Sequence, residues 1–88
     1  METISNEAQI PERELGELAK RFRTLAGISK AEAGRQLKVS RATIQQAEDY
    51  PEVSLTKLRL RMIEKYSPFE VVGPVFILKE KSSDLSPS

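Results

Sequence analysis

Apolar positions recur at helical spacing through most of this chain. Leu15, Leu18, Ala19, Phe22, Leu25 and Ala26 form one stripe, which predicts a helix over 11–26. Pro11 suits its first turn, Glu12 and Glu14 suit its positive end, and Gly27 suits the residue just past its last turn. Gly16 is a mild weakness inside it. A second, short helix is predicted from Lys30 to Leu37, because Ser29 and Glu32 have the spacing of a capping box. Ser40 has the chemistry to cap a third helix over 41–49, and Pro51 disfavours helical geometry at Tyr50, so the helix stops there. Ser54 is the expected cap of a fourth, over 55–66, with Leu55, Leu58, Met62 and Tyr66 at helical intervals and Leu60 and Ile63 widening that face.

After Ser67–Pro68 the pattern changes. FEVV and VFILK are β-branched and aromatic runs around a Gly-Pro turn, which predicts a hairpin or a strand pair. Residues 1–10 lack periodicity and read as a flexible arm, and 82–88 read as a disordered tail. The expected organisation is a helical domain over 11–66, with a motif at about 29–49, followed by a β segment over 67–81.

Composition narrows the chemistry. The 88 residues, 39% hydrophobic and 31% charged, suffice for one small domain. No apolar run approaches the roughly 18 residues of a membrane span, and the polar, acidic N-terminus does not read as a signal or transit peptide. A cytoplasmic protein without a membrane partner is expected. Cysteine and histidine are absent, which removes disulfides, thiolate chemistry, the usual zinc ligands and the commonest general base. No Gly-rich phosphate loop or GxSxG elbow is present. No enzyme activity, metal or cofactor is expected.

The net charge of +1 conceals an uneven distribution. Between Lys20 and Arg61 stand ten basic and four acidic residues, a net +6, while the remainder holds four basic and nine acidic, a net −5. A basic middle between acidic ends suits a surface that binds a polyanion. The alternating run Lys57–Arg59–Arg61 spreads its charges around the fourth helix and reads as a solvated or dimer-flanking surface.

Two short helices joined by a few residues, the second capped by serine, have the form of a helix-turn-helix. The stretch SKAEAGRQLKVSRATIQQAE resembles the phage repressor and Cro family of DNA-binding domains, the XRE type, over about residues 15–66. Gly34 takes the place of the family's small residue where the two helices meet. Leu37, Val39, Ile44 and Ala47 fall on its buried positions. Glu48 matches its acidic residue near the end of the recognition helix, and Arg23 the arginine that pairs with it, so the resemblance implies a structural ion pair. The chain departs at three points: Lys38 replaces the turn glycine and would need positive φ, Ala33 replaces a leucine, and the acidic DYPEV replaces a basic loop.

The resemblance implies a mainly α fold: a four-helix helix-turn-helix domain of the phage repressor type, followed by a short C-terminal β-hairpin or strand pair. It implies base reading in the major groove of double-stranded DNA by Arg41, Ala42 and Gln46, with Gln45 the weaker candidate. Arginine can bind guanine O6 and N7, glutamine adenine N6 and N7, and Ala42 can meet a thymine methyl. Lys30, Ser40, Arg35 and Lys38 are the candidate phosphate contacts, with Lys20 a further possibility. Simple solvation of an exposed face is the alternative for each of these side chains.

Family members commonly dimerise. A homodimer is expected here, with Phe69, Val71, Val75, Phe76, Ile77 and Leu78 in strand contacts across a two-fold axis. A hairpin folded back on the first or fourth helix is the alternative. The functional expectation is a sequence-specific transcriptional regulator, a dimeric repressor. The competing one is an antitoxin or adaptor that uses the fold to bind a toxin-like protein partner.

Overall fold

The computed structural model describes residues 8–72 and 76–81. Strand β1 (Ala8–Gln9) and a 3-10 turn (Glu12–Glu14) lead into α1 (Leu15–Leu25). Then follow α2 (Lys30–Leu37), α3 (Arg41–Asp49), α4 (Thr56–Tyr66), β2 (Phe69–Val72) and β3 (Ile77–Glu80). The fold is mainly α, four helices and then an antiparallel hairpin, as the pattern predicts. Among the described residues, no helix is long and apolar enough to cross a membrane.

The predicted stops and starts have visible causes. Gly27 ends the first helix at φ 75°, conformational space that glycine enters without steric penalty. Ser29 and Ser40 each accept the backbone N–H three residues ahead, from Glu32 and Thr43, both at 3.0 Å. Two local expectations fail. The first helix is preceded by a 3-10 turn instead of running from residue 11. At α4 the capping position is Leu55, which makes no side-chain cap; Thr56 Oγ1 instead donates to Glu12 Oε2 at 2.7 Å, tying the helix start to the 3-10 turn.

The core is one cluster. Leu15 and Ala19 of α1, Ala33 and Leu37 of α2, Ile44 and Ala47 of α3, and Leu58, Met62 and Ile63 of α4 are buried together with Leu78 of β3. Residues 8–10, expected within a loose arm, are not loose. Ala8 pairs with Leu78 and Gln9 with Ile77, and Ile10 N–H donates to the Phe76 carbonyl at 2.7 Å. This makes a three-stranded sheet in the order β1-β3-β2. Residues 1–7 and the expected tail, 82–88, lie outside the described residues.

The sheet also redirects the expected dimer contacts. Leu78 is buried, and Phe69, Val71 and Phe76 are half-buried against the chain's own core, with the Phe69 ring 5.9 Å from that of Phe22. Ile77 is half-buried and pairs with both neighbouring strands. These side chains cover their own helices because the β2–β3 hairpin packs across α4. Val75 lies outside the described residues.

Candidate nucleic-acid interface

α3 is nine residues long and buries a single stripe, Ile44, Ala47 and Glu48. Helical geometry therefore turns Ala42 and Gln46 outward, and Arg41 is exposed beside them at the open first turn. Ala42 and Gln46 lie one turn apart on that face, and Arg41 stands beside Ala42 at its N-terminal end. Gln45 is half-buried. Asp49 closes the far end of the face and pairs with Lys20 at 3.6 Å.

The turn that aims α3 is tight and strained. Lys38 holds left-handed geometry, φ 63° and ψ 44°, with ordinary steric cost for a residue that has a Cβ. Its neighbour on the inside is Gly34, where an added Cβ would stand 2.7 Å from the Val39 carbonyl oxygen. Only glycine lets the two helices approach this closely. Gly16 does the same between α1 and α3: an added Cβ there would lie 2.4 Å from the Ala47 carbonyl oxygen. What reads in sequence as a weak point of the first helix is a packing site for the third.

Two arginines then fix α3 from beneath, and a third holds the end of α2. Arg23 donates to Glu48 through Nε at 2.5 Å and through a terminal nitrogen at 3.1 Å, and its other terminal nitrogen donates to the Ile28 carbonyl at 2.7 Å. Both side chains are buried, so the expected ion pair is internal to the fold. Arg59 is 2% exposed, contrary to a solvated role. Its guanidinium donates to the carbonyls of Ala47, Tyr50 and Val53, each at 2.8 Å. Those groups include the C-terminal carbonyls of α3, where the helix dipole favours a cation. Arg61 serves α2 similarly, donating to the Leu37 carbonyl at 3.2 Å. The signal for Arg59 was available: it stands three and four residues before Met62 and Ile63, on the buried stripe of α4.

The candidate phosphate contacts are unequally placed. Lys38 is exposed and Lys30 half-buried at the start of α2. Ser40 is exposed, and besides capping α3 its Oγ lies 2.8 Å from Thr43 Oγ1. Arg35 is engaged by Glu32, whose carboxylate also accepts from Gln36 at 3.1 Å. The Arg35 and Gln36 hydrogen bonds hold the Glu32 carboxyl below the usual carboxylate range. Next to it the Tyr66 hydroxyl donates to Gln36 Oε1 at 2.7 Å, and partial burial with the nearby Glu32 charge pushes its pKa up. Of the ten basic residues between Lys20 and Arg61, five (Lys20, Arg23, Arg35, Arg59 and Arg61) are thus partnered within the chain. The surface charge near α3 is carried by Lys30, Lys38 and Arg41.

Among the described residues, no group of three acidic side chains is placed to hold a metal. Comparison with family models, curated proteins and solved structures found no match to this chain.

Proposed function

We propose that the chain is a sequence-specific double-stranded DNA-binding protein, a transcriptional regulator acting by occlusion, with α3 as the helix that enters the major groove. The observation that carries this reading is the outward face of α3. Arg41, Ala42 and Gln46 are exposed together within the first two turns of a helix that is anchored on its inner side by Arg23, Arg59 and two glycine contacts. That is what base readout requires: a rigid helix whose first two turns offer donors to base edges. Lys30 and Lys38, with the N-terminal N–H groups of α2 and α3, would hold phosphates and set the register.

The test is selection of duplexes from a randomised pool, followed by titration of the enriched sequence. Arg41→Ala and Gln46→Ala should each weaken binding to it by about 1–3 kcal/mol and flatten preference at one base pair. Lys38→Ala should weaken all duplexes alike and reduce the salt dependence. If the pool yields no enriched sequence, or the two alanine variants keep the wild-type preference, α3 is not a base reader.

A further inference from the structure

α1 has a second face. Opposite the stripe it buries (Leu15, Gly16, Ala19 and Arg23), it presents Glu17, Arg21 and Thr24, flanked by Leu18 and Leu25. Leu25 is 76% exposed, the highest value among the exposed large hydrophobic residues. Further toward the N-terminus of the same face, Ile10, Glu14, Glu17, Leu18 and Arg21 line a groove of about 220 Å³. One end of the helix therefore carries an apolar knob, and the other end an apolar-edged hollow.

We infer that this face pairs with the same face of a second copy of the chain, the two α1 helices running antiparallel. The charge order selects that occupant. On this face the acids Glu14 and Glu17 come first along the chain and the base Arg21 follows one turn later. An antiparallel copy sets Glu17 against the partner's Arg21 twice over, whereas a parallel one sets like charges together. The same alignment brings Leu25 opposite the partner's residues 13 and 14, at the mouth of the hollow between Ile10 and Leu18. Such an interface is isologous, every contact being made twice about a two-fold axis.

The sheet offers a second copy less. The amide of Val71 on the outer edge of β2 donates to Glu64 Oε2 at 3.2 Å, and that of Phe69 donates to Ser67 Oγ at 3.1 Å. Strand addition would have to displace both. The α1 pairing does not rest on the DNA-reading proposal, and it is measured without DNA.

A seam one helix long falls below the roughly 1,200 Å² of stable interfaces, so association is expected on the order of 10–100 µM. Sedimentation equilibrium up to about 1 mM tests it. The wild type should dimerise, and Leu25→Asp should remain monomeric. Glu17→Arg and Arg21→Glu should each weaken the dimer by roughly tenfold or more, and the double variant should recover it. All three side chains are exposed, and unchanged helical circular dichroism verifies the fold of each variant. A monomeric wild type, a Leu25→Asp variant that dimerises normally, or a double reversal that fails to recover the dimer would each overturn the assignment.

Discussion

The two sides of α3 are built on different terms. Its inner side is fixed several times over, by Ile44 and Ala47 in the core, by Glu48 on Arg23, by the Ala47 carbonyl on Arg59, and by the close approach of Gly16. Its outer side, Arg41, Ala42 and Gln46, is exposed along a helix that needs nothing from it. The division separates two demands on one short element. Orientation is supplied from beneath by groups that cannot easily change, while the groups proposed to read DNA are ones that the fold leaves open.

The sharpest way to break this contrast is at Arg59. Arg59→Ala leaves the buried Ala47 carbonyl without its donor, leaves the Tyr50 and Val53 carbonyls only the amides of Val53 and Leu55, and empties the space of a buried side chain, which together should cost about 3 kcal/mol. For a domain of this size that lowers the melting temperature by roughly 15 °C in a calorimetric scan. A loss under about 1 kcal/mol would mean that water replaces the guanidinium and that Arg59 does not hold the end of α3.

Gly16→Ala comes next. Helix propensity alone favours alanine by about 1 kcal/mol. Contact with the Ala47 backbone should reverse that sign and leave a net loss of about 2 kcal/mol in urea unfolding, because α1 and α3 have to move apart. Stabilisation by alanine would show that the two helices are not seated against each other. Smallest of all should be the effect on stability of Arg41→Ala and Gln46→Ala, within about 0.5 kcal/mol of wild type by the same measurement. A loss above about 1 kcal/mol from either would mean that the outer side has structural duties after all.

Much of this was legible in the residues. The serine caps and the glycine after α1 follow from local conformational chemistry, which sequence reports well, whereas the closeness at Gly34 and the left-handed turn at Lys38 were legible through resemblance. The Arg23–Glu48 pair was legible through resemblance, since its members are far apart in the chain. What escaped was tertiary. Arg59 reads as a surface charge until the carbonyl ends of α3 and its following loop are placed beside it, although its position on the stripe of α4 was a hint. Gly16 reads as a propensity defect until α3 crosses it. β1 carries too few residues to show alternation, and pairs only because β3 offers it an edge. The apolar β segment left two arrangements open in sequence, strand contacts with a second copy or folding back on the helices, and Phe69, Val71, Phe76 and Leu78 pack against the chain's own core.

The pairing of Ala8 with Leu78 joins the first described residue to nearly the last. The helices, α1 against α3 and α4 included, pack through segments that all precede β2 in the chain, and can assemble before the sheet. The sheet cannot close before its central strand, β3, which follows every helix in the chain. Closing so long a loop is entropically costly and is the slow kind of contact to form. Order of synthesis thereby becomes order of assembly: α3 and its supports are complete while Phe22 and the floor of the sheet still await their cover.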